Sequence, residues 1–374
     1  MKQIYLSDVH ISGRERELVE EVFRDNDVAP RGKMLERFEY EICNYTGISH
    51  AVALSSGTAA LHLALIEAGV QNGDYVWNCS KTFIGGVAPI AYVGAIPVFF
   101  DISRQDWTLD CDLLEEELES ANRHNKLPKV VITTDIYGQS CDLDRVISIC
   151  DRFDVKVVAD SAEALGAFRA KKHAGNGAFA TIFSFNGNKI ITTSGGGMLL
   201  SGDEAVISHA RKLSTQAREN ALHYQHEEIG FNYRMSNVCA AIGIGQLEQL
   251  EDKIARRRQI FEEYRHALSV IDGVGFMPEP EICRSTKWLT CMTLDPAKIK
   301  TGPIEVLEKC RAEKIELRPL WKPMHLQPVF KEARFVGEGY CVKLFETGLC
   351  LPSGSGMSEE DQQRVIETLS GLLE

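Results

Sequence analysis

The sequence predicts an α/β fold centred on a mainly parallel, seven-stranded sheet sandwiched by helices. Between residues 50 and 200, short apolar runs alternate with stretches of helical spacing, which indicates successive right-handed strand–helix–strand units. Most of these runs are too apolar to have a solvated face, as expected of strands covered on both sides. In chain order, the predicted strands are AVAL (51–54), YVWN (75–78), PVFF (97–100), KVVITT (129–134), VKVVA (155–159), TIFSF (181–185) and GGMLL (196–200).

The stretches between these strands are predicted to be helices. Gly69 is a suitable stop for the first one, because glycine tolerates the left-handed backbone that often follows a helix. The predicted helices cover residues 58–68, 85–92, 112–121, 143–153 and 204–213.

A longer helix is predicted after Ser236, which is a good N-cap. Its apolar residues recur three, four or seven positions apart between 247 and 268, and this spacing places them on one side of a helix. The three arginines at 256–258 fall between the apolar positions, so we expect them on a solvated face.

Length and composition indicate two globular domains. The chain has 374 residues, of which 44% are hydrophobic and 25% are charged, close to the average for globular proteins. After about residue 270 the sequence becomes loop-like and then has the pattern of a smaller α+β region that ends in a helix from Ser358. We therefore expect a large cofactor-binding domain at residues 1–250 and a small C-terminal α+β domain at residues 251–374.

Charge, cysteine pattern and hydropathy argue against several classes of protein. The 41 basic and 53 acidic residues give a net charge of −12, which disfavours a nucleic-acid partner. The eleven cysteines include no CxxC pair, which favours free thiols over disulfides or a metal site. The start of the chain has no signal-peptide pattern, and the uncharged stretch at 82–100 contains two prolines and three glycines, unlike a membrane span. We expect a cytoplasmic protein with no membrane partner.

Residues with binding or reactive groups follow four of the predicted strands, at the sheet edge where parallel sheets bind ligands. The serine, glycine and threonine at 55–58 begin a helix whose free N–H groups suit a phosphate. Phe83 can stack on a flat ring, and Asp160 places a carboxylate at the end of a buried strand. Lys189 precedes a glycine run, where a desolvated lysine can act as an amine nucleophile.

Each of these features alone has a simpler explanation: a helix cap, a core aromatic, an internally bonded carboxylate or a surface lysine. Together they suit pyridoxal phosphate. This cofactor forms a Schiff base with a lysine, and a carboxylate keeps its ring nitrogen protonated so that the ring accepts electrons.

The chain contains five long motifs, and the first three include the residues at 55–58, Asp160 and Lys189. They are SSGTAALHLAL (55–65), VVADSAEALG (157–166), FSFNGNKIITTSGGGM (183–198), GFNYRMSNVCAAIG (230–243) and LRPLWKPMHLQPVF (317–330). They resemble the DegT/DnrJ/EryC1/StrS family of nucleotide-sugar aminotransferases, and the resemblance runs from Ile4 to about Ser370. The resemblance implies a fold-type I pyridoxal phosphate-dependent transferase, which is similar to aspartate aminotransferase in fold.

The resemblance also implies roles for the matching residues. Lys189 would hold the cofactor and move the substrate proton, and Asp160 would pair with the ring nitrogen. The other implied cofactor contacts are Gly57, Thr58 and Ser184 at the phosphate, Phe83 stacked on the ring, Glu163 near the ring hydroxyl and Asn232 at the phosphate of the neighbouring subunit's cofactor. Such a shared site requires at least a homodimer.

Two positions depart from the family pattern. Many relatives have glutamine where this chain has Glu163, and many have histidine where it has Asp135. The first departure bears on the ring-hydroxyl contact, whereas no consequence of the second follows from the sequence.

Segments outside the cofactor motifs most resemble the UDP-4-keto-6-deoxy-N-acetylglucosamine 4-aminotransferases of the bacillosamine pathway. They are STQARENALHYQH (214–226), RSTKWLT (284–290), LRPLWKPMH (317–325) and CLPSGSGMS (350–358). Candidate contacts to a UDP-sugar are Arg31, Lys33, Arg218, Arg318 and Lys322 for charge, and Trp288, Trp321 and His325 for aromatic surface.

The implied reaction transfers an amino group from L-glutamate to the C4 ketone of a UDP-linked 4-keto-6-deoxy-N-acetylhexosamine. The product would be UDP-4-amino-4,6-dideoxy-N-acetylglucosamine, used in bacterial glycan biosynthesis of the bacillosamine type. The same chemistry on a dTDP- or GDP-linked keto sugar stays open. A related sugar dehydratase would have histidine in place of Lys189, and a non-catalytic regulator would tolerate the loss of Lys189 or Asp160, so the intact pair disfavours both.

Overall fold

The computed structural model describes residues 2–374. Its helices are α1 (Arg14–Arg24), α2 (Lys33–Thr46), α3 (Gly57–Glu67), α4 (Ala88–Tyr92), α5 (Cys111–Arg123), α6 (Leu143–Asp151), α7 (Glu204–Ser214), α8 (Asn237–Leu247), α9 (Leu250–Leu268), α10 (Pro303–Ala312), α11 (Tyr340–Thr347) and α12 (Glu359–Leu373). Its strands are β1 (His50–Leu54), β2 (Tyr75–Cys79), β3 (Ile96–Phe100), β4 (Val130–Thr134), β5 (Lys156–Asp160), β6 (Phe168–Arg169), β7 (Lys172–His173), β8 (Ala180–Ser184), β9 (Gly197–Ser201), β10 (Val274–Phe276), β11 (Cys283–Arg284), β12 (Thr290–Leu294), β13 (Arg318–Pro319), β14 (Arg334–Val336) and β15 (Gly348–Leu351).

The main sheet contains all seven predicted strands and one more. Its order is β1-β9-β8-β5-β4-β2-β3-β14, and only β9 runs antiparallel to its neighbours. The eighth strand, β14, pairs in parallel with β3 at the sheet edge. Three residues are too few to show a strand pattern in the sequence, so this contribution from the last third of the chain was not predicted.

Helices cover both faces of the main sheet, as predicted. In β4, Val130 and Ile132 point into a core formed with α3, α4 and α7. Val131 between them points into a second core formed with α1, α2, α5, α6 and α8. Burial of both faces explains why these strands lack an alternation of polar and apolar residues.

The predicted helices between the strands are mostly confirmed. Helices α3, α5, α6 and α7 match their predicted ranges to within two residues at each end. The stretch at 85–92 is not one helix: a 3₁₀ turn at Ile84–Gly86 precedes the short helix α4. Pro89 lies in the first turn of α4, where its missing N–H is tolerated.

The prediction of one long helix after Ser236 is wrong, although Ser236 is the N-cap, its Oγ accepting a hydrogen bond from Cys239 N at 3.2 Å. The helix breaks at residues 248–249, between α8 and α9. Helix α8 packs into the core of the main sheet, whereas the end of α9, at Ile260, Tyr264 and Leu268, packs into the core of the small sheet.

A second sheet is antiparallel and comes from the last third of the chain. Its order is β10-β12-β15-β13, and helices α9, α10 and α12 share its core. This confirms the expected smaller C-terminal α+β region. The division at residue 250 remains a proposal, because α9 begins at Leu250 and its first turns still pack with the main-sheet core.

Among the three arginines expected on a solvated face, Arg257 contradicts the prediction. Its side chain is buried, with 1% exposure, and donates hydrogen bonds to the carbonyl oxygens of Trp288 and Ser353. Charge alone predicts a solvated side chain, but the packing of α9 against the segments that follow β11 and β15 encloses this one.

The eleven cysteines are all free thiols, and eight of them are buried. Within residues 2–374 there is no cluster of three or more histidine, cysteine, aspartate or glutamate side chains arranged to hold a metal ion. No helix in that range combines the length and apolar character needed to cross a bilayer.

Gly197, the first residue of β9, provides a test of how tightly the main sheet packs on α3. A Cβ at this position would lie 2.3 Å from Gly57 N and from Ser56 C, which are backbone atoms that cannot rotate away. We expect Gly197→Ala to lower the free energy of unfolding by about 1–3 kcal/mol, measured as a lower Tm by circular dichroism. Gly202→Ala is the matched control, because a Cβ there meets no atom within 4 Å. Equal Tm values for the two variants would contradict this packing.

Candidate active site

A cavity of about 310 Å³ lies at the carboxyl ends of the main-sheet strands. Thr134 ends β4, Asp160 ends β5 and Ser184 ends β8, and all three line the cavity. The predicted residues Gly57, Thr58, Phe83, Glu163 and Lys189 line it too. The structure therefore brings together every cofactor residue predicted from the sequence except Asn232.

The N-terminus of α3 forms a cradle in one wall of the cavity. Ser56 caps the helix, its Oγ accepting a hydrogen bond from Ala59 N at 3.0 Å. A Cβ at Gly57 would lie 3.1 Å from Ser184 Cβ, and a Cβ at Gly85 would lie 2.9 Å from Thr58 Oγ1. Glycine at both positions leaves room for a group to approach the helix N–H groups and the two hydroxyls, an arrangement that suits a phosphate.

Asp160 is a buried carboxylate with no cation in hydrogen-bond contact among the described residues. It is 7% exposed, and its Oδ1 accepts a hydrogen bond from Ala162 N at 3.2 Å. Its Oδ2 faces Gly86, where a Cβ would lie only 2.3 Å away. Burial raises the pKa of Asp160 to about 6, even though the charge of Lys189 opposes the shift. A protonated ring nitrogen would give this carboxylate the partner it lacks.

A second polar group in the cavity also lacks a partner. Thr134 Oγ1 is buried and makes no hydrogen bond within the described structure. Buried hydroxyls are normally hydrogen-bonded, so an unpartnered one in a cavity indicates a site for a polar ligand. The cradle, the unpaired carboxylate and this hydroxyl together fit pyridoxal phosphate.

Lys189 lies in the loop after β8, with its side chain 11% exposed. Its Nζ lies 3.3 Å from Glu163 Oε1 and 4.4 Å from the centre of the Trp288 ring. The carboxylate and the aromatic face both attract the lysine in its charged form. The amine is thus held at a defined place in the cavity.

Glu163 connects the strand ends to a segment near the C-terminus. Besides Lys189, its carboxylate accepts hydrogen bonds from Tyr137 N at 2.9 Å and from Trp321 Nε1 at 3.2 Å. Tyr137 OH in turn accepts a hydrogen bond from Trp321 N at 2.7 Å, and the buried Lys81 Nζ donates to Trp321 O at 3.4 Å. The indole and both main-chain polar groups of Trp321 are therefore held by residues of the main-sheet region.

Asp135, for which the sequence suggested no role, lines the cavity but has both carboxylate oxygens occupied. They accept hydrogen bonds from Cys141 N at 2.7 Å and Ser161 Oγ at 2.5 Å. Burial raises the pKa of this carboxyl. Asp135 therefore fixes the loop after β4 and the residue that follows Asp160.

Phe83 and Asn232 differ in their relation to the cavity. Phe83 lies at its mouth and is 59% exposed. Asn232 is exposed and does not line it. Its neighbours Phe231 and Tyr233 stack with ring centres 4.9 Å apart, and both pack on His62. Successive side chains of an extended segment point to opposite sides. Phe231 and Tyr233 therefore lie on one side of this segment, and Asn232 points to the other. Its predicted contact with a neighbouring subunit stays a prediction.

Of the eight residues predicted as contacts to a UDP-sugar, two line the cavity, Trp288 and Trp321. Lys33 pairs with Asp25 at 2.6 Å and Glu21 at 2.8 Å, and Arg318 pairs with Glu316 at 2.6 Å. The others outside the cavity are Arg31, Arg218, Lys322 and His325, the last with its ring 3.8 Å from that of Phe335. Their substrate roles stay predictions.

Several residues that line the cavity were not predicted as site residues. Thr82, Thr134, Asn186 and Asn188 follow or end strands, so the rule about strand ends could have identified them. Gly86 could not have been found in this way, because only the tertiary structure places it against Asp160.

Comparison with known proteins agrees with this geometry. A family model for the DegT/DnrJ/EryC1/StrS aminotransferase family matches residues 9–370. EpsN of Bacillus subtilis strain 168, a proposed pyridoxal phosphate-dependent aminotransferase, is 48% identical over 375 residues, which cover 99% of this chain and 96% of EpsN. GDP-perosamine synthase of Caulobacter vibrioides is 33% identical over 375 residues, covering 100% of this chain and 99% of that enzyme.

The fold is also shared with solved structures. The aminotransferase TlmJ from Streptoalloteichus hindustanus superposes with a TM-score of 0.90 at 26% identity and 98% coverage of both chains. The predicted fold-type I architecture is thereby confirmed, and the cofactor is pyridoxal phosphate.

The pKa of Asp160 leads to two opposite expectations for Asp160→Asn. Because the pKa of Asp160 is raised from the ordinary 3.8 to about 6, the folded state favours the protonated carboxyl. The resulting contribution to stability is fully present below pH 3.8 and is lost as the pH rises through 6. At pH 7.5 the ionised carboxylate costs about 3 kcal/mol. The cofactor-free variant should therefore be more stable than the parent at pH 7.5, by up to that amount, and no more stable near pH 3.5.

In the same variant, pyridoxal phosphate should bind roughly tenfold to a hundredfold more weakly, because a charge-assisted hydrogen bond is lost. Thermal denaturation without cofactor and an absorbance titration with cofactor measure the two effects. Glu308→Gln, at an exposed position on α10, is the control. If the variant has both a lower Tm without cofactor and a lower affinity for pyridoxal phosphate at pH 7.5, burial of the Asp160 carboxylate does not destabilise the cofactor-free protein.

Proposed function

Because the chain belongs to the DegT/DnrJ/EryC1/StrS aminotransferase family and is a pyridoxal phosphate-dependent sugar aminotransferase, we propose that it aminates a UDP-linked sugar. The amino group passes from L-glutamate to the C4 ketone of a UDP-4-keto-6-deoxy-N-acetylhexosamine. The product is UDP-4-amino-4,6-dideoxy-N-acetylglucosamine, for glycan biosynthesis of the bacillosamine type. The observation that carries the proposed chemistry is the single cavity that holds the amine of Lys189, the buried carboxylate of Asp160 and the cradle at α3.

The proposed roles follow from the environment of each group. When bound, pyridoxal phosphate supplies an aldehyde that condenses with amines and a ring that takes up the electron pair left by a departing proton. Asp160 holds the proton of the ring nitrogen, since a buried carboxylate favours a cationic partner. Gly57, Thr58 and Ser184 bind the phosphate. Phe83 covers the ring at the mouth of the cavity.

Lys189 is proposed to move the proton at the substrate carbon. Its Nζ takes this proton as a neutral amine and returns it in charged form, as a general base and then a general acid. Glu163 Oε1, at 3.3 Å, stabilises the charged form and keeps Nζ in place between the two steps. Trp288 and Trp321 border the same cavity with apolar surface, which restricts the access of water.

A homodimer with shared active sites is part of the proposal. Among the residues that line the cavity, Lys189 is the only basic one, yet a nucleotide diphosphate needs positive charge nearby. Asn232 is exposed, whereas its neighbours Phe231 and Tyr233 stack on each other. Contact of Asn232 with the partner's cofactor phosphate would place residues of two chains at each site.

The choice of nucleotide rests on segments of the sequence and not on the residues that line the cavity. The segments at 214–226, 284–290, 317–325 and 350–358 favour the UDP-linked substrate through their resemblance to that group of enzymes. The second candidate is a GDP-linked keto sugar. It is supported by the similarity to the GDP-perosamine synthase of Caulobacter vibrioides.

The proposal predicts the products of a defined mixture. We expect the dimer-competent full chain, loaded with pyridoxal phosphate, to convert UDP-4-keto-6-deoxy-N-acetylglucosamine and L-glutamate into the amino sugar and 2-oxoglutarate, both detected by mass spectrometry. Lys189→Ala should abolish turnover and keep the Tm near that of the parent, because the residue lies at a cavity wall. Parallel reactions contain GDP- and dTDP-linked keto sugars.

Each outcome identifies a different error. Amination of only the GDP-linked sugar would reject the UDP assignment and keep the aminotransferase. Formation of 2-oxoglutarate with no aminated sugar would reject all three substrates. A Lys189→Ala variant that turns over at the parental rate would refute the role of Lys189.

A further inference from the structure

Arg257 is a buried cation that the proposed reaction does not use. Its guanidinium is 1% exposed, and no carboxylate pairs with it within residues 2–374. Burial lowers the pKa of Arg257 to about 10, so it is still charged at neutral pH. A buried charge without a counterion is costly, and such groups are retained where their hydrogen bonds serve a purpose.

All the acceptors of Arg257 are neutral. Nη1 donates to Trp288 O and to Ser353 O, the latter at 2.8 Å, and Nη2 donates to Ser7 Oγ at 3.2 Å. These acceptors lie in three separate parts of the chain. The arginine on α9 therefore joins the N-terminal segment to the segments that precede β12 and follow β15.

Two of the three residues that accept these hydrogen bonds also donate hydrogen bonds to the loop that contains Lys189. Ser7 Oγ donates to Asn188 O at 2.8 Å, and Trp288 Nε1 donates to the same oxygen at 2.9 Å. A carbonyl oxygen has two lone pairs, and both are used here. Since this carbonyl belongs to the peptide that joins Asn188 to Lys189, the two hydrogen bonds set the orientation of that peptide.

Trp288 also contacts the other end of the lysine. Its ring centre lies 4.4 Å from Lys189 Nζ, while its carbonyl is held by Arg257. The backbone and the amine of Lys189 thus both rest on groups that Arg257 holds, although Arg257 does not line the cavity.

We propose that Arg257 is a positioning residue for Lys189 and acts through Ser7 and Trp288. The inference rests on the proposed role of Lys189. Displacing the lysine loop changes the path of the proton to the substrate carbon, and a misplacement of about 1 Å can lower a rate by about a hundredfold. Because Arg257 does not line the cavity, its substitution should change the binding of L-glutamate little. The expected signature is a lower kcat with a nearly constant KM.

The test compares Ser7→Ala, Arg257→Lys and Arg257→Met with the parent, each as the full chain loaded with pyridoxal phosphate. Ser7→Ala removes one donor to Asn188 O and leaves Arg257 in place, so it remains informative if Arg257→Met fails to fold. Arg257→Lys keeps the charge with fewer donors and should restore part of the effect. Arg256→Met is the control, since Arg256, on the same helix, donates to Met357 O at 3.2 Å and makes no contact with this network.

Three readouts separate positioning from general damage: kcat and KM for L-glutamate, the visible circular dichroism of the bound cofactor, which depends on its orientation, and the Tm. We expect kcat to fall about tenfold in Ser7→Ala and up to about a hundredfold in Arg257→Met, with KM within about twofold of the parent. The dichroism of the cofactor band should change in both variants and stay unchanged in Arg256→Met.

Two results would overturn the inference. If Ser7→Ala and Arg257→Lys match Arg256→Met in kcat and in the cofactor band, Arg257 only stabilises the fold. If reduction of the parent enzyme with borohydride leaves no cofactor on Lys189, found by peptide mass spectrometry, the proposed role of Lys189 falls and the inference falls with it. The first result leaves the proposed function intact, so the two failures are distinguishable.

Discussion

The burial of the Asp160 carboxylate is the constraint on which the arrangement of the active site depends. The residue ends a strand whose two faces are covered, so its charge cannot reach bulk water. Gly86 approaches Oδ2 too closely for any side chain, and no cation contacts the carboxylate among the described residues. The ionised carboxylate lowers the stability of the protein when no cofactor is bound. The same buried charge favours the binding of a cationic ring nitrogen, so the loss of stability and the gain in affinity have one origin.

Glu163 gives the site its connection to the last third of the chain. Its carboxylate bonds to Lys189, to the backbone of Tyr137 and to the indole of Trp321. Substrate choice is expected to depend on the segment that contains Trp321, whereas the chemistry depends on the strand ends. Glu163, together with Tyr137 and Lys81, thus links the two parts. The negative charge of Glu163 also matches the positive charge of the lysine beside it.

The lysine loop is supported on two sides. Inside the cavity, Glu163 and Trp288 hold the amine; outside it, Ser7 and Trp288 hold the peptide before the lysine. A flexible side chain on a loop transfers a proton efficiently only if its backbone is held in a fixed position. The buried Arg257 meets this need without entering the cavity, which gives a reason for a charged residue at a buried position with no carboxylate partner among the described residues.

The sequence by itself determined seven of the eight strands of the main sheet and the polar residues at their ends. A short apolar strand and the residues that follow it are neighbours in the sequence. The positions of Asp160, Lys189 and the α3 cradle at strand ends are therefore predictable from the order of residues alone. Only the tertiary structure decided the break between α8 and α9, the edge strand β14, the burial of Arg257 and the absence of Lys33 and Arg318 from the cavity. These depend on contacts between residues far apart in the chain, and charge or periodicity along the sequence carries no information about such contacts.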